Sequence, residues 1–236
     1  MKPTEMPASK RTKNCTPNIS TNPKLLRPHS ADPDVSLGCV IMASGLGKRF
    51  GGNKLMADFH GEPMIARALA ATEGLFAQRV VVTRHKDVAD FCQDKGLPAL
   101  LHDFPYRSDT VRLGLESLEQ TAGSTFSKAF HMQGCMFCPG DQPLLRRETI
   151  IALAAAAQND PHLIWRVAFE GAPGTPVLFP EWAFSELKKL PQGKGGGYLA
   201  KKYPEQVRLV PVRDWYELKD VDTPEDLSAL LKLQDM

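Results

Sequence analysis

Three stretches of this chain carry side chains suited to handling phosphate. The first runs Met42-Ala-Ser-Gly-Leu-Gly-Lys-Arg-Phe-Gly-Gly-Asn-Lys-Leu55. A glycine-rich turn exposes backbone N–H groups, and these cradle phosphate oxygens. Arg49 and Lys54 add a planar clamp and a mobile point charge. Two familiar phosphate loops do not fit. The dinucleotide fingerprint wants a third glycine where Phe50 stands, and the Walker loop wants Ser or Thr where Leu55 follows Lys54. The second stretch, Pro139-Gly-Asp-Gln-Pro-Leu-Leu145, offers Asp141 in a turn, where a carboxylate can hold Mg²⁺ against phosphates. The third is Asp220-Val-Asp-Thr-Pro-Glu-Asp-Leu227. Each has a plainer explanation. The glycine stretch could be a solvated surface loop, Asp141 a turn former, and Asp222 and Thr223 caps for a helix opening at Pro224.

Other reactive residues point nowhere specific. Cys135-Met-Phe-Cys138 has C-x-x-C spacing but reads as a strand, on which positions i and i+3 face opposite ways. The six histidines show no paired metal-ligand spacing. The five cysteines are odd in number and scattered, which suits a reducing cytoplasm better than a disulfide scaffold.

The elements that must position these residues alternate. Leu37–Ala43 is a continuous apolar run of strand length, as in a sheet covered on both faces. Further strands are expected at 80–83, 98–102, 133–138, 162–167, 175–179 and 206–212. Helices are expected from Pro63 to about Phe76, over 88–95, from Ser108 or Asp109 to about 120, and over 148–158, 182–190 and 224–233. Residues 168–175 and 193–197 read as loops. This order implies an α/β fold of three layers, a mostly parallel twisted sheet with helices on both faces. Ligands bind at the carboxyl edge of such sheets.

Composition sets the boundaries. The 236 residues are 42% apolar and 24% charged, which fits a globular domain and excludes collagen and coiled coil. The longest apolar run, Ile150–Ala157, has 8 residues, where a membrane span needs about 20. Six of the nineteen prolines and six basic residues against three acidic ones fall in residues 1–36. That segment is expected to be a disordered extension preceding a single domain at 37–236. It lacks the apolar centre of a secretory signal; a transit peptide or an extension without a role of its own both stay open. The formal charge of +2 therefore leaves the body without the basic surplus of a nucleic-acid binder.

The glycine stretch resembles the nucleotidyltransferase signature L-A-A-G-x-S-x-R-M-G-x-x-K-L. Gly45, Arg49, Gly51 and Lys54 match it, while Ser44, Gly47 and Phe50 replace its second alanine, its serine and its methionine. The likeness runs over residues 38–233 and is greatest to the molybdenum cofactor cytidylyltransferase branch of the MobA-like superfamily. It implies a Rossmann-like nucleotidyltransferase fold and Mg²⁺-dependent transfer of CMP from CTP to molybdenum cofactor. Arg49, Lys54 and Asp141 would be catalytic, with Asp141 and Asp222 on the metal and Asp220 a weaker ligand. Ala43, Ser44, Gly45, Leu46, Gly47 and Lys54 would hold nucleotide. So would Ser108 and Thr110, in a segment similar to S-x-S-x-x-x-G-L. Gly174-Thr-Pro-Val-Leu-Phe179 is similar to G-H-P-V-L-F with Thr175 for histidine. Gly174, Thr175 and Lys194 would thus face the acceptor. A molybdenum hydroxylase or its maturation factor would be the partner. GTP as donor, a sugar or alcohol phosphate as acceptor, and a non-catalytic nucleotide-binding chaperone are the alternatives.

Overall fold

The computed structural model describes residues 36–124 and 131–234. The expected extension lies outside the described residues except for Ser36, as does Cys15. The strands are β1 (Ser36–Ala43), β2 (Asp58–Phe59), β3 (Glu62–Pro63), β4 (Gln78–Thr83), β5 (Ala99–Leu101), β6 (Met132–Pro139), β7 (Ile164–Phe169), β8 (Ala172–Pro180) and β9 (Val207–Pro211). The helices are α1 (Ile65–Thr72), α2 (Lys86–Asp94), α3 (Arg107–Ser124), α4 (Arg147–Asn159), α5 (Phe184–Leu187), α6 (Gly196–Lys202) and α7 (Pro224–Gln234). β2 and β3 form a small hairpin. The other seven strands make one sheet in the order β5-β4-β1-β6-β8-β7-β9. Only β8 runs against the rest.

Alternation along the central strands builds two cores. Cys39 and Ile41 of β1, with Met136 and Cys138 of β6, meet Ile65 of α1, Val88 of α2, Ile150 and Leu153 of α4 and Leu230 of α7. Val40, Cys135 and Phe137 face the other way, onto Val111, Leu115 and Leu118 of α3 and Leu187 of α5. Burying each such side chain contributes roughly 1.5–3 kcal/mol. The three-layer α/β fold is as expected, and the two thiols of Cys135 and Cys138 do face opposite layers. Helix α3 approaches the sheet at Gly114, which has no side chain; a Cβ there would meet Val40 Cγ1 at 2.5 Å. Among the described residues no helix is long and apolar enough to cross a membrane.

Some local expectations fail for identifiable reasons. Residues 168–175 are not a loop: β7 and β8 continue through them around a two-residue turn, with Glu170 and Gly171 at φ 48° and 81°. Pro173, which has no N–H to give a ladder, sits beside a register shift between Arg166 and Ala168. Pro63 closes the small hairpin rather than opening a helix, and α1 starts at Ile65. Only 193–195 of the glycine run is loop, since Gly196 already begins α6. The expected helix 182–190 is a 3₁₀ turn at Glu181–Ala183 followed by the single turn of α5.

Candidate active site

The order places a crossing point between β1 and β6: the chain leaves β1 toward β4 on one side and β6 lies on the other. Both strands end at the same edge, where Met42 lies beside Pro139. The glycine loop follows β1 and the Gly140-Asp141 turn follows β6, so both open into the crevice favoured for ligands. A cavity of about 790 Å³ occupies it. Ser44, Gly45, Leu46 and Gly47 form one wall, Thr110 and Asp141 stand nearby, and Thr175 and Lys194 complete the far side.

The loop is held from behind. The Ser44 hydroxyl donates to Val82 O at 3.0 Å and, its one proton spent, accepts from His102 Nε2 at 2.9 Å. Burial first, then the Arg84 charge, keeps the His102 pKa below its usual value, so the ring is neutral at neutral pH. His85 Nε2 donates to Gly45 O at 2.8 Å, tying the loop to the residue before α2. Gly47 is required by the fold: its φ is +59° and a Cβ would sit 2.3 Å from Gly52 O. At Gly45 a Cβ would meet nothing within 4 Å. Gly45 nevertheless lines the cavity, so its bare backbone leaves room for a ligand rather than for the protein.

The acidic segments converge through Lys54. This buried lysine donates to Asp141 Oδ2 at 2.6 Å, to Val221 O at 2.6 Å and to Asp222 Oδ1 at 3.3 Å. Its three protons are thus used, and it does not line the cavity. Val221 N–H donates to Asp141 O at 2.9 Å, stitching the two acidic turns together. Arg49 Nη2 donates to Asp222 Oδ2 at 2.8 Å, and the rest of its side chain is exposed. In the structure both cations are bonded to carboxylates, in the loop where the sequence pattern sets them beside phosphates. The capping explanation for Asp222 also resolves. Thr223 accepts from Asp226 N at 3.2 Å while Asp226 Oδ2 accepts from the N–H groups of Asp222 and Thr223. That box caps α7 and leaves the Asp222 carboxylate for Arg49 and Lys54.

Asp220, the weaker candidate by sequence, lines the cavity with Asp141, and Asp222 does not. The Asp220 residue is exposed as a whole, yet its carboxyl has lost water and lies near the Asp141 charge, and both effects raise its pKa. Gln142 Nε2 lies 2.8 Å from Asp220 Oδ1, 2.9 Å from Thr175 Oγ1 and 3.0 Å from Leu218 O, tying the acidic turns to the start of β8. Ser108 sits buried in the first turn of α3, and neither it nor Ala43 nor Gly174 lines the cavity. Asp109 is not the cap of α3. Its carboxylate reaches back to Tyr106 N–H at 3.1 Å from inside the first turn.

Sequence reasoning passed over Lys48, Arg84, Arg107, Arg166, Lys201 and Gln142. With Lys194, the first five give the cavity six cations against two carboxylates. No local pattern marks these residues. The one available hint is the glycine run, since Gly195 brings its backbone against Arg107, where a Cβ would sit 2.8 Å from Cδ.

A family model for the MobA-like NTP transferase domain matches residues 39–207. The chain belongs to this family. Its MobA-like domain thus spans β1 through the start of β9 and includes the glycine loop and Asp141. A "probable molybdenum cofactor guanylyltransferase" of Aquifex aeolicus is 21% identical over 209 residues, covering 84% of this chain and 91% of that protein. A 3-deoxy-manno-octulosonate cytidylyltransferase of Neisseria meningitidis is 33% identical over a shorter stretch, 41% of this chain and 36% of that protein. The crystal structure of Rv0371c from Mycobacterium tuberculosis superposes with a TM-score of 0.69 at 20% identity, over 84% of this chain and 99% of that one. The same mycobacterial protein is also known in complex with manganese, at a TM-score of 0.64 and 19% identity, over 84% and 99% of the two chains. The fold is that of the nucleotidyltransferases.

Proposed function

We propose that this nucleotidyltransferase moves CMP from CTP to the phosphate of molybdenum cofactor, with release of pyrophosphate. One observation carries the reading: a single cavity joins the glycine loop, Asp141 and the Thr175–Lys194 side. It has a donor half, an acceptor half and acidic groups between. An acceptor phosphate oxygen forms the new bond to the α-phosphorus. The bond from that phosphorus to the β-phosphate's bridging oxygen breaks, and pyrophosphate carries away the electron pair. A phosphate monoester is already a nucleophile, so the protein must align two anions and neutralise charge rather than supply a strong base.

A divalent cation suits the donor set. Asp141 and Asp220 offer hard oxygens to the cavity, and Asp222 stands beside them on Lys54. An ion such as Mg²⁺ takes one or two carboxylates and completes its shell with water and phosphates. When bound, the ion would offset charge on the phosphates. The chain's own residues do the rest. Gly45–Gly47 present backbone N–H groups to the triphosphate, and Thr110 borders the nucleotide. Lys54 and Arg49 fix the carboxylates, and Thr175 and Lys194 face the acceptor. A cytoplasmic setting suits the reduced thiols.

GTP is the alternative donor, because a relative matched over most of its length bears a guanylyltransferase name. CTP is favoured by Ser44 in the loop and by the cytidylyltransferase likeness over the shorter stretch. Pyrophosphate release with molybdenum cofactor and Mg²⁺ or Mn²⁺ separates them when CTP, GTP, UTP and ATP are compared. Release with CTP alone supports the proposal, and release with GTP moves the chain to guanylyl transfer. A protein that binds nucleotide but releases no pyrophosphate with any of them refutes this acceptor.

A further inference from the structure

Arg166 is a half-buried cation. It lies on β7, its Nε and Nη2 donate to Gly174 O at 3.3 and 3.0 Å, and it lines the cavity. Among the described residues no carboxylate lies within ion-pair distance of it, although Asp141 and Asp220 border the same space. Among the described residues its Nη1 group has no hydrogen-bond partner. A guanidinium withdrawn from water without a counter-ion is costly to hold, and burial accordingly lowers the pKa of Arg166. Such a group is stabilised when a ligand brings the missing charge.

Sheet order says where that ligand would lie. Arg166 pairs with Val177 of β8, and β8 pairs with β6, which leads into the Asp141 turn. Val177 also lines the cavity, and cross-strand partners point to the same face. With strands about 4.8 Å apart, β7 lies roughly 10 Å beyond β6 and roughly 14 Å from β1. The glycine loop follows β1. Arg166 is therefore on the far side of Asp141 from the phosphate cradle, among the residues of the acceptor half.

We infer that Arg166 is the specificity-determining contact for the acceptor, binding its phosphate monoester through the free edge of a guanidinium pinned to Gly174 O. This rests on the proposed donor and acceptor halves of the cavity. The gly-loop end reads the triphosphate; Arg166 sets the requirement for an anionic acceptor. A neutral alcohol of the same shape would leave the guanidinium unpaired and would be a poor substrate.

The test uses R166Q, whose amide can still donate to Gly174 O while the charge is gone, and R166K, which keeps the charge without the fork. Binding of inorganic phosphate to the full chain is measured by calorimetry in the presence of saturating CTP, alongside CTP affinity itself. R166Q should weaken phosphate binding roughly tenfold or more, the scale of one charge-assisted contact, with R166K between it and wild type and CTP affinity within about twofold. In the pyrophosphate assay the acceptor KM should rise by a similar factor while the CTP KM holds. Phosphate binding by R166Q or, should that variant not fold, by R166K that equals wild type would overturn the inference. A matching loss of CTP affinity would overturn it too, by placing Arg166 on the donor side. If phosphate binding depends on Arg166 but no pyrophosphate is released, the contact stands and the substrate reading above falls.

Discussion

Replacing Lys54 with methionine keeps most of the side-chain volume and removes only the ammonium. Lys54 is 7% exposed and holds Asp141, Val221 O and Asp222 together. Removing one partner of a buried ion pair costs about 3–5 kcal/mol. Here the two carboxylates are 26% and 36% exposed, so water takes over part of their solvation. That reduces the electrostatic loss to about 2 kcal/mol. The Val221 carbonyl, on a fully buried residue, loses a donor and adds about 1 kcal/mol. A loss near 3 kcal/mol in a domain of this size lowers Tm by roughly 6–12 °C. Asp141 and Asp222 then repel each other with nothing between them, so turnover should fall by at least about 10². Thermal unfolding followed by circular dichroism gives the first number and pyrophosphate release the second. A K54M protein that melts within about 2 °C of wild type would refute the claim that this lysine pins the acidic turns together.

Asp141→Asn should fold normally and lose roughly 10²–10⁴ in kcat, measured as pyrophosphate release; near-normal turnover would remove Asp141 from the reaction. The two loop glycines should behave oppositely. Gly47→Ala should destabilise by about 1–3 kcal/mol in urea titration, because φ is positive and the Gly52 carbonyl is in the way. Gly45→Ala should leave stability within about 0.5 kcal/mol, yet weaken CTP binding by roughly tenfold or more, since its Cβ would enter only the cavity. Acid should loosen the cap of α7. Lys219 first, then the Asp222 and Thr223 N–H groups, hold the Asp226 pKa down to about 2. Its folded pKa is depressed, so its contribution is complete above about pH 4 and is lost as pH falls toward about 2. Screening at this solvent-facing site keeps that contribution near 1 kcal/mol. Asp226→Asn should flatten the acid limb of a stability–pH curve, and an unchanged limb would count against the cap.

The sheet was legible in the sequence because continuous apolar strands alternate with amphipathic helices, and those patterns depend on neighbours a few positions apart. The glycine loop, Asp141 and the acidic turn were legible for the same reason. Turn chemistry leaves compact marks. The β7–β8 turn was not, although Glu170-Gly171 is a turn signal. Residues 168–175 read as a loop, and only the pairing with β7 shows that a register shift accommodates Pro173. The direction of a side chain was also hidden. Arg49 and Lys54 sit in a phosphate-binding pattern, yet their partners are 173 and 168 positions away, at Asp222. Nothing near either residue announces that. Arg84, Arg107, Arg166 and Lys201 come from four separate elements or their flanks and become one surface only when the sheet closes.

The thiols offer a clock. Cys39, Cys92, Cys135 and Cys138 are all buried and unpaired. Burial pushes the Cys92 and Cys138 thiols up to about 11 and 12, and Cys39 and Cys135 also well above the usual range. An alkylating reagent needs thiolate and access, and the folded domain grants neither. The rate at which each sulfur is modified therefore measures how often its surroundings open. Because Cys135 looks into one layer of helices and Cys138 into the other, mass spectrometry of the modified peptides would time the two faces of a single strand separately. Equal rates would mean that the layers come apart together. Unequal ones would say which layer lets go first, and whether nucleotide holds it shut.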